Sequence, residues 1–68
     1  MIKEKRKELG FTQEQVADKL NISLRQYVRI DKEEDLPRRD ILNKLIILFE
    51  LSDDEIGKYI RSIIQKTA

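Results

Sequence analysis

Apolar residues recur along this chain at helical spacing. Val16, Ala17 and Leu20 mark one face of a short segment, and Leu24, Tyr27 and Ile30 mark the next, with Leu24 at the rim. Leu42, Leu45, Ile46 and Phe49 follow the i, i+3, i+4, i+7 stripe of an amphipathic helix, and Ile56, Ile60, Ile63 and Ile64 continue it in a last segment. No stretch alternates with period two, and no Asn-Gly or Asp-Gly pair offers a hairpin turn. The pattern predicts an all-α chain.

The polar residues between these stripes supply the boundaries. Thr12 precedes Gln15, Ser23 precedes Gln26 and Ser52 precedes Glu55, each at the capping-box spacing. In a capping box the hydroxyl accepts from a backbone N–H of the first turn, and the longer side chain reaches back to the cap. Apolar pairs bracket each one as a hydrophobic staple: Phe11 with Val16, Ile22 with Tyr27, Leu51 with Ile56. Helices should therefore begin near 13, 24 and 53. Another should begin around Pro37 or Arg38, because proline suits a first helical turn. An opening helix built of good helix formers should stop at Gly10. The expected elements are five helices near 2–9, 13–20, 24–31, 38–49 and 53–66, forming one compact bundle over residues 1–68.

Composition narrows the function. With 68 residues there is room for one small domain. Cysteine and histidine are absent, which removes disulfides and the usual zinc ligand sets. No Gly-rich phosphate loop is present and a substantial substrate pocket is not expected, so the chain does not read as an enzyme and no cofactor or small-molecule ligand is implied. Asp53, Asp54 and Glu55 suggest a metal only superficially, since acids in a first helical turn favour the helix dipole. The longest apolar run, Leu45 to Phe49, falls far short of the ~20 residues that span a bilayer. A cytoplasmic protein without a membrane partner is the expectation. Lys and Arg number 14 against 13 Asp and Glu, so bulk positive charge cannot hold a polyanion.

Position matters more than the total. Residues 1–11 carry Lys3, Lys5, Arg6 and Lys7 against Glu4 and Glu8, and residues 21–32 carry Arg25, Arg29 and Lys32 against Asp31. Two short helices separated by Asn21-Ile22-Ser23 have the helix-turn-helix layout, whose second helix enters the DNA major groove. Such a turn needs a left-handed residue after Leu20, and Asn21 is the commonest non-glycine choice. Ala17 is small where the two helices must approach, and Ile22 fills the angle between them.

The string Arg6-Lys7-Glu8-Leu9-Gly10-Phe11-Thr12-Gln13-Glu14-Gln15-Val16-Ala17-Asp18-Lys19-Leu20-Asn21-Ile22-Ser23 resembles the N-terminal region of the Cro/C1-type (Xre-like) helix-turn-helix regulators. The resemblance continues through Val28-Arg29-Ile30-Asp31, Pro37 and Phe49-Glu50-Leu51-Ser52, covering roughly residues 2 to 56. It implies a five-helix, lambda repressor-like domain that binds palindromic operators as a dimer. The small size resembles a Cro-like repressor of a phage or mobile element; a restriction-modification controller or an antitoxin regulator would look similar.

The resemblance places Gln13 at a phosphate, where the N-terminal N–H groups and helix dipole also favour an anion. It also implies an ion pair between Arg6 and Asp31, looser than with the usual glutamate, with Arg6 near the DNA backbone. Expected base readers on the second helix are Leu24, Arg25, Gln26, Val28 and Arg29. Arg25 leads because its fork matches guanine O6 and N7, while Gln26 is partly consumed by its capping box. Expected backbone contacts are Arg6, Thr12, Gln13, Ser23, Lys32 and Arg38.

One segment departs from the family pattern. Glu33 stands where the family tends to have glycine, and Glu34 and Asp35 follow, close to the expected phosphate path. This acidic loop is either a solvated turn, a device against non-specific binding, or a contact for a partner. The last two helices carry more apolar residues than one stripe needs. They predict a homodimer through residues 53–66 and the end of the preceding helix, with Ile47, Leu51, Ile56, Tyr59, Ile60, Ile63 and Ile64 at the interface. The rival reading is a protein-interaction module that keeps the fold without binding DNA.

Overall fold

The computed structural model describes residues 1–67. Five helices follow one another: α1 (Ile2–Glu8), α2 (Gln13–Leu20), α3 (Leu24–Asp31), α4 (Arg39–Phe49) and α5 (Asp53–Thr67). All-α architecture and element order agree with the sequence pattern, and the boundaries move by a residue or so. At α4 the start moves to Arg39. Arg38 is extended (φ −59°, ψ 158°) and caps the helix without a side-chain hydrogen bond, so Pro37 stays outside.

The capping boxes form as spelled. Gln15 N–H donates to Thr12 Oγ1 at 3.1 Å while Thr12 N–H donates to Gln15 Oε1 at 2.9 Å, and Ser23 and Gln26 repeat the exchange. Ser52 and Glu55 do the same ahead of α5. Asn21 adopts the left-handed conformation (φ 57°, ψ 46°), which ends α2 and turns the chain into α3. Gly10 (φ +77°) does so after α1, and Glu33 (φ 55°) and Glu50 (φ 51°) do so after α3 and α4. Glu33 thus occupies the left-handed position for which a glycine would be the unstrained choice.

One core joins the helices. Its fully enclosed members are Ile2, Val16, Tyr27, Leu45, Phe49 and Tyr59, with Leu20 and Ala17 close behind. Two stripes are rotated from the sequence expectation. In α4 the innermost positions are Ile41, Leu45 and Phe49, an i, i+4, i+8 line, and Leu42 and Ile46 flank it half-buried. In α5 the inner line is Tyr59 and Ile63, with Ile56 and Ile60 partly covered, and Ile64 lies outside at 56% exposure.

That rotation corrects the expected dimer surface. Tyr59 (0% exposed), Ile63 (4%) and Leu51 (8%) are consumed by the core of a single chain, so no partner surface is left on them. Outward apolar positions are Ile47, 76% exposed on α4, and Ile64 on α5. Among the described residues no helix is long and apolar enough to cross a membrane, and no acidic cluster has metal-ligand geometry.

Candidate nucleic-acid interface

With about 100° of rotation per residue, the sequence of α3 divides its circumference. Tyr27, Ile30 and Asp31 fall on one side, and all three are buried. Leu24, Arg25, Val28, Arg29 and Lys32 fall within an opposite arc of about 140°. Leu24, Arg25, Arg29 and Lys32 are exposed, and Val28 is half-covered. The structure therefore brings four of the five expected base readers onto one outward face. Gln26 lies off that arc. Its Oε1 accepts from Ser23 N–H at 3.0 Å and from the Ser23 hydroxyl at 3.3 Å, so the cap takes its carbonyl and leaves its amide N–H groups outward.

A buried polar network fixes this face relative to the rest of the domain. Asp31, 4% exposed at the end of α3, accepts four hydrogen bonds. Arg6 donates through Nε to Oδ1 at 3.0 Å and through Nη2 to Oδ2 at 3.3 Å. Tyr27 OH donates to Oδ1 at 2.9 Å and Gln13 Nε2 to Oδ2 at 3.1 Å. Burial alone pushes the Asp31 carboxyl upward, but the hydrogen bonds from Arg6, Gln13 and Tyr27 outweigh it and hold the group below the ordinary carboxylate range. Asp31 raises Arg6 in return, against the opposing effect of burial. Burial, and then the bond to Asp31, lifts the Tyr27 phenol far above its normal value.

This geometry corrects one expectation. The Arg6–Asp31 pair is not loosened by the shorter acid: it is forked and buried, because α1 and α3 approach closely enough for Asp31 to reach. Arg6 also donates through Nη1 to the Phe11 carbonyl at 2.9 Å, so it acts as a strut between α1, α3 and the entry to α2. Gln13 points its amide at Asp31, leaving one amide N–H and the Gln13 and Glu14 backbone N–H groups at the start of α2 for an anion. Thr12 and Ser23 are exposed, and their oxygens serve the caps.

The acidic loop was legible as charge but not as structure. Glu33 folds inward: its Oε2 accepts from the Met1 amino group at 3.2 Å, and among the described residues its Oε1 has no hydrogen-bond partner, nor has the hydroxyl of the buried Tyr59. Burial, with the Glu33 charge adding, lifts the Tyr59 phenol well above its normal value. Glu34 and Asp35 turn instead to the recognition face. Asp35 Oδ2 accepts from Arg29 Nη2, and Glu34 Oε2 lies 3.7 Å from Arg29 Nε. No sequence signal specified this arrangement, since it depends on the left-handed turn at Glu33. Arg38 is exposed, 4.0 Å from Asp40, and Lys32 is exposed beyond the last turn of α3.

A helix-turn-helix family model matches residues 2–56, which takes in the first four helices and the start of the fifth. No curated protein and no solved structure gives a match.

Proposed function

Because the chain belongs to the Cro/C1-type helix-turn-helix family of DNA-binding transcription regulators, we propose that it is a small Cro-like repressor that reads a palindromic operator as a homodimer. In this reading α3 lies in the major groove. Arg25 donates its fork to a guanine, Leu24 and Val28 meet thymine methyl groups, and Arg29 adds a second contact one turn along. The first turn of α2, with Gln13, faces a phosphate, and Lys32 and Arg38 border the backbone. The observation that carries the reading is the outward arc of α3, held at a fixed angle by the Asn21 turn and the Asp31 network.

Dimerisation uses the exposed side of α4 and α5, centred on Ile47 and Ile64 with Ile56 and Ile60 at the edge. A two-fold axis there sets equivalent recognition helices about 34 Å apart, one turn of DNA.

Selection of duplexes from a random pool by the purified protein, followed by anisotropy titration at several salt concentrations, tests the proposal. An enriched, two-fold symmetric site is the expected result, with a log–log salt slope near −0.9 for each phosphate contacted. Arg25→Ala should weaken the selected duplex far more than Lys58→Ala, which removes the same charge from α5. Equal losses would remove Arg25 from base reading. Failure to enrich any duplex at low salt favours the protein-interaction module, a reading that the near-neutral charge also suits.

A further inference from the structure

Two arginines stand one turn apart on the recognition face, and they are not equivalent. Arg25 has no ion-pair or hydrogen-bond partner among the described residues, whereas Arg29 is held by two carboxylates of the following loop. The loop is shaped for this. Glu33 takes the left-handed conformation (φ 55°) and buries its own side chain, and that reversal returns Glu34 and Asp35 alongside the last turn of α3. The Glu34 N–H donates back to the Arg29 carbonyl at 3.2 Å, so the backbone fixes the acids beside the residue they engage. Asp35 takes Nη2 and Glu34 lies beside Nε, while Nη1 is left to point elsewhere.

We propose that Glu34 and Asp35 are specificity-determining residues that act through Arg29, so that Arg29 contributes to a correct base edge and not to bare phosphate. The proposal rests on the DNA-binding reading above. A phosphate approaching Arg29 brings negative charge to two carboxylates already beside it. Contact then needs either a three-anion cluster or release of the acids into the negative field of the backbone. Guanine O6 and N7 are neutral acceptors and impose neither cost, and the N–H groups left on Nη1 remain for them. The acids also limit the side-chain directions that Arg29 samples before binding. They are positioning residues: they need not touch DNA to change which DNA is held.

Neutralising them without changing their shape tests this. Glu34→Gln with Asp35→Asn frees Arg29 for one more phosphate contact. Affinity for an unrelated duplex should rise roughly tenfold at 0.05 M salt and its log–log salt slope steepen by about 0.9. Affinity for the selected duplex should change by less than about threefold, so the specific-to-unrelated ratio falls. Both side chains lie on the surface, and matching thermal unfolding of the variant verifies the fold. The same pair of substitutions in an Arg29→Gln background should have a clearly smaller effect on the unrelated duplex, with no steepening of the salt slope by a further contact.

Retention on heparin, a polyanion without bases, supplies a readout independent of any operator. The neutralised variant should elute at higher salt than the parent chain when Arg29 is present, and the shift should be clearly smaller when Arg29 is absent, where only the change in net charge remains. A heparin shift of equal size in both backgrounds would mean simple bulk charge and overturn the role given to Arg29. An unchanged specificity ratio would overturn it as well. Failure of the unmodified protein to enrich any duplex instead overturns the regulator reading, and the specificity role with it, whatever heparin reports.

Discussion

Removing the Asp31 carboxylate is the most severe single change that the structure predicts outside the apolar core. Its four hydrogen bonds join α1, α2 and α3, and Asp31→Ala strips them together. The larger effect is on Arg6, whose guanidinium stays buried without a counter-charge; breaking such a pair from one side costs about 3–5 kcal/mol. A domain of this length has about 3–10 kcal/mol of total stability at typical per-residue values. The variant should thus be largely unfolded or lose most of its stability in urea, followed by far-UV circular dichroism at neutral pH. Adding Arg6→Met should recover part of the loss, because it removes the stranded charge and fills much of its volume. Asp31→Asn should fall between, since it retains size and one acceptor oxygen. A cost for Asp31→Ala below about 1 kcal/mol, the range of a surface pair, would mean that the buried network does not hold the helices together. So would a failure of Arg6→Met to compensate.

The same network sets the acid limit. Asp31 is held below its unfolded value, so the native state binds fewer protons near pH 4; its stabilisation is complete above about pH 5 and is lost as pH falls further. Acid titration of thermal stability should show that fall, and Asp31→Asn should flatten it. Ser23→Ala removes the cap of α3 and should cost about 1 kcal/mol by urea denaturation, with Ser23→Gly costing less. Glu33→Gly relieves a left-handed side-chain residue and should raise stability by about 1 kcal/mol despite losing the bond to Met1. Ile47→Glu, at a position 76% exposed, should leave monomer stability within about 0.5 kcal/mol while abolishing self-association in sedimentation velocity; an unaltered dimer would move the interface elsewhere.

Local signals were legible because each is written over three or four residues. Thr12-Gln15 and Ser23-Gln26 spell the caps, and Asn21 spells the turn. What was not legible depends on rotations and distances that accumulate over longer separations. Whether α5 buries Tyr59 and Ile63 or Ile60 and Ile64 is decided by about one third of a turn, which repeated isoleucines do not distinguish. The depth of the Arg6–Asp31 pair depends on how closely α1 approaches α3 across 25 residues of sequence, so a short acid read as a loose partner proved a tight one. The acidic loop showed three like charges in a row. Their division into one inward and two Arg29-facing side chains follows from a single backbone angle at Glu33.

The strut between Arg6 and Asp31 also bears on the order of assembly. At seven residues α1 is too short to persist as an isolated helix, and it leaves the ribosome well before Asp31 does. The α2–α3 pair has local caps and a local turn, but its eight-residue helices are nearly as short, and the last turn of α3 carries an unneutralised acid until Arg6 docks. A fragment limited to residues 12–31 should fail to hold its two helices at a fixed angle, so the smallest unit able to present a rigid reading head begins with the helix that precedes the motif.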